Sequence, residues 1–423
     1  MTLAVASLAA VLCIRGADPT STSFTSSQCE GTHIPYPDDV QIVATPDSLT
    51  PVLINYVGRH GARFPSSPKS TRMLRGALER ADSLKTITPQ GRKLLALTRY
   101  VEARCKGAWG ALDSLGIEEI RGIASRTART FPGLLKNGNI TAYSSYAPRC
   151  IMSMANFTYQ LSRLDNTIEV TSGSGRRFSY LLRPFDVDQE YIDFRNDAPW
   201  GPTLDAFEQI TLPLTPLIKV LGKEYQPASA EEARALVMAE YGFLSGLSAM
   251  SVPVNVMEYL SKEEYNAMWA VGNLRQYLRL SASTISSVPA EIAAPLLLDI
   301  VNTTQEAVNR FLDKKQAPGP VGIFRFGHAE TLIPLFSLMR MSGAYYLTNY
   351  FDTVALHWQN FNLTPMAANL RLVLFRTKSG RFYVRIDHNE KPVRLDGEDS
   401  PVYLPWDTAR ERLTRFIPLH RRI

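Results

Sequence analysis

Long hydrophobic runs are scarce in this sequence. The one stretch of note, Leu3–Ile14, holds apolar or small residues broken only by Ser7. It falls short of the ~18 uninterrupted apolar residues of a membrane span and has the length of the apolar segment in a secretory leader. No Lys or Arg precedes it, so the usual basic start is missing, whereas Ile14 and Gly16 suit the positions before a cut after Gly16. The expectation is an exported protein (secreted, periplasmic or lumenal) with residues 1–16 as signal peptide and no membrane span. Cysteine is equally sparse. With Cys13 in the leader, Cys29, Cys105 and Cys150 remain, an odd number. A Cys29–Cys105 bridge beside a buried Cys150 thiol is one arrangement, three free thiols the other. No CxxC or Cys/His pair has zinc spacing. The strand–GxxxxGK[ST]–helix pattern of a nucleotide-phosphate loop is absent, so Gly173-Ser174-Gly175 reads as a flexible turn. No internal repeat is present.

What is there is an ordinary globular balance, with 45% apolar and 20% charged residues in 423. That length suits two domains, or one large α/β core with an inserted cap. Forty-six Lys and Arg against 40 Asp and Glu leave a net charge of +6, a bias towards anionic ligands that by itself selects none. Asn139, Asn156, Asn302 and Asn362 each begin an Asn-X-Ser/Thr triplet, a glycan acceptor only in a eukaryotic secretory route.

Asp18–Ser27 is rich in Ser and Thr and reads as a mobile linker, residues 17–28. Val52–Val57 is a mostly apolar run of strand length, Ile140–Ser144 a second core strand, and Gly319–Gly327 a third. Leu370–Phe375 and Phe382–Ile386, joined through Ser379-Gly380, form a strand pair. Helical spacing marks Thr71–Ser83, Thr88–Arg104 with Pro89 just inside its start, Asp113–Thr130 and Glu330–Arg340. The middle third is almost wholly helical: Ala230–Leu247, Lys262–Leu280 and Ala290–Leu312, with Pro202, Pro213 and Pro216 interrupting Thr203–Val220. The reading is an α/β fold, a mixed sheet flanked by helices (29–169 and 316–423), carrying an inserted helical cap (170–315). Met257, Tyr265 and Trp269 read as core, and the arginines of the tail, Arg410, Arg412, Arg415, Arg421 and Arg422, as a solvated face. His33, His357, His388 and His420 have no nameable partners and default to surface or satisfied core.

The strongest local signal is Arg59-His60-Gly61-Ala62-Arg63, directly after the Val52–Val57 strand. Ligands of open α/β sheets bind beyond the carboxyl ends of the strands. Guanidinium forks match phosphate oxygens in pairs, and their charge favours a neutral, nucleophilic imidazole. Gly61 lets the backbone approach an anion. A triplet of this kind on a surface turn would mean nothing; the preceding strand and its partners give it weight. His328-Ala329-Glu330 lies at the end of the Val321–Phe326 strand and at a helix entrance, where unpaired amides attract anions. Glu330 there can protonate a departing alkoxide, although a first-turn carboxylate is also ordinary helix chemistry. Ser144–Ser153 brings Arg149 after another strand.

These motifs together resemble the histidine acid phosphatases, and the His-Ala-Glu version resembles their multiple inositol polyphosphate phosphatase branch. Trp109-Gly110-Ala111-Leu112, Phe131-Pro132-Gly133-Leu134, Asn273-Leu274-Arg275-Gln276-Tyr277, Pro365-Met366-Ala367-Ala368-Asn369 and His388-Asn389-Glu390-Lys391 extend the likeness over about residues 50–395. The resemblance implies a nucleophile at His60, phosphate held by Arg59, Arg63, Arg149 and His328, and Glu330 as acid. It implies no metal and no cofactor. One departure is Pro184 in Leu182-Arg183-Pro184-Phe185-Asp186, where an aromatic residue is expected.

The expected function is hydrolysis of inositol polyphosphates, phytate first. A broad phosphatase for small monoesters is the rival among enzymes, and a catalytically silent polyanion binder the rival outside them. The substrate is a small polyanion; no nucleic-acid partner is expected. Lys69, Arg72, Arg75, Arg176, Arg177 and Arg183 are the cations available for further phosphates, with Lys69 and Arg183 the chosen specificity candidates.

Overall fold

A computed structural model describes residues 23–313, 317–395, 397 and 399–422, so the leader lies outside the described residues. Eight strands form one mixed sheet: β1 (Leu49–Arg59), β2 (Asn139–Ser144), β3 (Glu169–Ser174), β4 (Gly322–Gly327), β5 (Asn369–Thr377), β6 (Phe382–His388), β7 (Lys391–Val393) and β8 (Leu404–Pro405). Their order is β3-β2-β4-β1-β5-β6-β7, with β8 beside β6. β1, β2, β3 and β4 run parallel, and β5 turns the sheet antiparallel against β1. The register aligns Arg59 with Gly327 and Ser144 with Phe326. Three chain segments distant in sequence therefore leave the sheet at one edge, and that alignment assembles the site.

β1 and β4 are buried on both faces, as parallel strands covered by helices must be, which is why they read as nearly continuous apolar runs. Tyr56, Phe157, Phe324 and Phe326 fill one face; centroids of Tyr56 and Phe157 are 5.2 Å apart. On the other face the helix Ala294–Leu312 lies across β1, where Thr304 Oγ1 accepts a 2.9 Å bond from Asn55 Nδ2. The helices Lys69–Ser83, Pro89–Arg104, Ser114–Thr130 and Ala329–Leu338 stand where the periodicity puts them. Thr88 caps the second, accepting from Gly91 N at 3.0 Å, and Asp113 the third, accepting from Leu115 N at 3.1 Å.

Among the described residues between β3 and β4, every regular element is helical. Lys262–Leu280 opens with a full capping box from Ser261 and Glu264. The prolines divide the preceding stretch into Gly201–Thr211 and Thr215–Leu221, and Val288–Glu291 is separate from Ala294–Leu312. No helix among the described residues is long and apolar enough to cross a membrane.

Several expectations are corrected. Gly173 and Ser174 close strand β3, and only Gly175, with φ 128°, makes the turn. Of the two arrangements left open for the cysteines, the structure has the second: Cys29, Cys105 and Cys150 are all buried, unbridged thiols. Phe24, within the stretch read as a linker, packs against Trp269 with centroids 4.6 Å apart. Tyr265 and Trp269 are core, but Met257 is exposed. The tail is not merely solvated: Arg421 pairs with Asp188 and, at 2.6 Å, with Glu190, while Arg410 donates to Gln305 Oε1 at 2.7 Å. Of the four glycan triplets, Asn156 is buried and bonded to Arg121, which leaves Asn139, Asn302 and Asn362 exposed.

Candidate active site

β1 delivers Arg59 and His60 to the sheet edge, and both side chains are buried. Arg59 Nη1 donates to Thr32 O at 2.5 Å and Thr364 O at 2.6 Å. The His60 ring points Nδ1 at Gly61 O, 2.9 Å away. A carbonyl only accepts, so Nδ1 carries the proton and Nε2 keeps its lone pair. Burial, then the charges of Arg59, Arg63 and Arg149, hold the His60 pKa well below the usual histidine range. That shift favours the neutral ring, with its unshared pair on Nε2.

Gly61 has a structural reason that differs from the one expected. A Cβ on it would stand 2.4 Å from Gly116 O, and one on Gly116 would stand 2.1 Å from Ala62 O. The two glycines let the helix Ser114–Thr130 press against the loop that carries His60. Asp113 N donates to Ala62 O at 2.9 Å, Gly61 N donates to Ser153 Oγ at 3.2 Å, and Ala62 N donates to Glu119 Oε2 at 2.7 Å.

Arg149 stands in the first turn of Pro148–Leu164. His328 caps Ala329–Leu338, its own N–H donating to Thr331 Oγ1 at 3.0 Å. Its ring lies 5.7 Å from that of His60, nearly edge-on. Ser145 Oγ is 3.1 Å from His328 Nε2, and Arg149 Nη2 is 3.3 Å from Nδ1. Burial, then Arg149 and Arg183, hold the His328 pKa well below its usual range. Cys150 Sγ donates to Gly327 O at 3.1 Å, a thiol whose pKa burial pushes up to about 11. It is a structural contact and not a nucleophile.

The arginines here differ from those elsewhere in the interior. Arg126 pairs with Glu390 at 2.7 Å, Arg325 with Asp299 at 2.5 Å, and Arg371 and Arg385 with Asp387 at 3.1 and 2.8 Å. Among the described residues, Arg59, Arg63 and Arg149 have no ion pair, and the Nε of each is buried without an acceptor. Burial and mutual repulsion push Arg63 down to about 9, and Arg59, where burial dominates and Glu330 opposes, to about 10. Buried donors converging without carboxylates form a receptor for an anion.

The structure brings Arg183 into this group and leaves Lys69 outside it. Arg183 Nη1 is 2.8 Å from His328 Nε2, and its Nε donates to Asp186 at 2.7 Å. Its guanidinium lies 4.8 Å from the ring centroids of Tyr146 and Phe185. Phe185 also meets His328 edge-on at 5.9 Å, so the aromatic contact missing at Pro184 is supplied one residue later. Lys69 is exposed on a separate 600 Å³ cleft lined by Asp205, Glu208, Arg234 and Arg275. Arg72 and Arg75 both pair with Glu102, while Arg176 stacks on Tyr146 at 4.7 Å and Arg177 on Phe178 at 4.8 Å. Glu330 is exposed in the first turn of its helix, near enough to act electrostatically on Arg59 and Arg63.

Sequence reasoning did not single out Glu119, and it left His33 as surface or satisfied core. His33 lies where Arg63 and Arg59 add to its burial and lower its pKa to about 3. Of the other histidines, His388 is satisfied by Leu363 O at 2.8 Å, and His420 sits 3.7 Å from Glu190 and from Glu291.

Multiple inositol polyphosphate phosphatase 1 of Gallus gallus is 26% identical to this chain over 368 residues, covering 82% of the chain and 78% of the relative. The Homo sapiens protein of the same name is 25% identical over 373 residues, covering 82% and 76%. The chain is a relative of these phosphatases. No family model matches the chain. The fold is theirs as well: the multiple inositol polyphosphate phosphatase of Bifidobacterium longum, solved with inositol hexasulfate, superposes with a TM-score of 0.78 at 18% identity, covering 93% of this chain and 99% of that one. The phytase of D. castellii gives 0.70 at 15% identity, covering 96% and 91%. At such identities the likeness carries the histidine acid phosphatase fold, and the sequence relatives carry the kinship to inositol polyphosphate phosphatases.

Proposed function

We propose that this protein hydrolyses phosphate monoesters of inositol polyphosphates, phytate first, through a phosphohistidine on His60. The observation that carries the reading is an imidazole whose Nδ1 faces a carbonyl, which leaves Nε2 free, set among three arginines that form no ion pair. The names of the relatives give the substrate class. Arg59, Arg63, Arg149 and His328 hold the phosphoryl oxygens. His60 Nε2 bonds to phosphorus while the ester P–O bond breaks, and Glu330, as the acid, gives its proton to the departing alkoxide. Water then attacks the phosphohistidine, its proton passes to the Glu330 carboxylate, the P–N bond breaks and inorganic phosphate leaves. These residues work by positioning and charge neutralisation.

Arg183 is the specificity residue we favour, because it reaches His328 and two aromatic rings fix it there; Lys69 is a more distant second. The helical block between β3 and β4 acts as the cap (170–315) on the core (29–169 and 316–423). Residues 1–16 direct export.

Parallel turnover of phytate, a glucose phosphate and an aryl phosphate tests the substrate class. The expected order of kcat/KM places phytate first, with its products resolved by positional isomer. Phytate as the poorest of the three would overturn the inositol polyphosphate assignment and leave a broad phosphatase. Glu330→Gln separates the acid from the rest. Its loss is expected to be about 10²-fold or more on alkyl phosphates, which need a proton on leaving, and far smaller on aryl phosphates. Equal slowing of both classes would remove Glu330 from that role.

A further inference from the structure

The Gly61–Ala62 peptide stands between two polar groups. Its carbonyl oxygen accepts from His60 Nδ1 at 2.9 Å, and its N–H donates to Glu119 Oε2 at 2.7 Å. The other oxygen of Glu119 accepts from Tyr36 N at 2.7 Å, and the carboxyl is only 8% exposed. We propose that Glu119 is a positioning residue that sets the tautomer and basicity of the nucleophile through this single peptide. The proposal rests on the reading of His60 as nucleophile.

An amide is a resonance-linked unit, so negative charge held at its N–H makes its oxygen a stronger acceptor. A stronger acceptor at Nδ1 keeps the proton there and leaves Nε2 unprotonated. When Nε2 bonds to phosphorus the ring gains positive charge, and Nδ1–H becomes a stronger donor. The ring is then flanked by Arg59, Arg63 and Arg149, which oppose that charge. Burial pushes the Glu119 carboxyl up to about 7, against the N–H bonds from Tyr36 and Ala62 and the charge of Arg59; above that pH a carboxylate on the far side of the peptide offsets the three arginines. Holding the loop in place does not require an anion. Asp113 N, Ser153 Oγ and the Gly61–Gly116 contact already fix its backbone. The carboxyl reaches the loop because Glu119 follows Gly116 by one helical turn on the face that meets it.

Glu119→Gln and Glu119→Asp in the full chain test this. Glu119→Gln is expected to lower kcat on the order of tenfold while the inhibition constant of inorganic phosphate moves by less than about twofold. The imidazole ¹⁵N signals of His60, assigned by their loss in His60→Ala, should shift towards a mixture of tautomers. Glu119→Asp keeps the charge, so it should recover part of kcat and of the ¹⁵N pattern despite its shorter reach. The relay is overturned if Glu119→Gln retains wild-type kcat. It is equally overturned if both variants lose phosphate affinity and thermal stability together with an unchanged ¹⁵N pattern, the signature of packing alone. Should Glu119→Gln not fold, wild-type ¹⁵N signals showing a proton on Nε2 would overturn it without any variant. Failure of the underlying reading looks different: wild type releases no phosphate, or His60→Ala releases it just as fast.

Discussion

His60→Ala is expected to release phosphate more slowly than wild type by on the order of 10⁴-fold or more. The side chain is the only element of the site that forms a covalent bond in the proposed route, so its loss removes both chemical steps. Folding should survive, because the neighbours that shape the loop, Asp113 N, Ser153 Oγ and Gly116, meet its backbone and not the His60 ring. Alkaline quench of the wild type with labelled substrate should trap phosphate on the protein, and the same quench of His60→Ala should trap none. The pH profile adds a second reading. The His60 pKa is depressed by burial and by Arg59, Arg63 and Arg149, so protonation that silences the nucleophile sets in only well below the ordinary value near 6.5. The acid limb of kcat/KM should therefore not fall with a midpoint near that value. Residual release by His60→Ala within about tenfold of wild type would end the phosphohistidine account.

Arg149→Ala carries the second large effect, about 10²–10³-fold in kcat/KM, without recovery on adding divalent metal. Arg149 faces His328 Nδ1 at 3.3 Å and keeps a buried Nε with no acceptor; the variant loses a donor to the phosphoryl group and leaves His328 less well placed. The stability change should run the other way. Burial, then the charges of Arg59 and Arg149, lowers Arg63 to about 9, with Glu330 opposing, so the three cations repel one another. Removing one should raise the melting temperature of the phosphate-free protein. A less active and more stable variant is the outcome expected where a binding site stores unfavourable charge. A variant less stable than wild type, or active within about threefold, would contradict it.

How much of this could be read along the chain depends on which atoms do the work. β1 and β4 were legible because parallel strands covered on both sides are mostly apolar, and β2 because its buried side chains alternate with more exposed ones. The residues leaving their ends were legible because a phosphate site needs arginine and histidine side chains. β3 was not: Glu169–Ser174 is an edge strand whose side chains are mostly exposed, and its composition is that of a loop. Glu119 was invisible for a different reason. It binds Tyr36 and Ala62 through their backbone N–H groups, which any residue possesses, so no pairing of side-chain types marks the contact. The regular spacing of Gly116 and Glu119 on one helix was the signal available. The Arg421 ion pair with Asp188 joins residues too far apart for periodicity to connect, and an arginine-rich tail looks alike whether solvated or docked. Asn389 and Glu390, with φ 48° and 65°, make the tight turn from β6 to β7. Glu390 tolerates that backbone because Arg126 and Tyr36 hold its carboxylate in the interior.

The strand order has a consequence for synthesis. β1 emerges early, but both of its neighbours, β4 and β5, belong to the last quarter of the chain. A ribosome adding roughly 5–20 residues per second would need on the order of 15–50 seconds after completing the nucleophile strand before its first partner exists. Throughout that interval an apolar strand has two open edges, which are templates for mispairing. Nascent chains arrested before β4 should therefore be both inactive and prone to association, while the helical block and the β2–β3 pair can gain structure before β1 finds a partner.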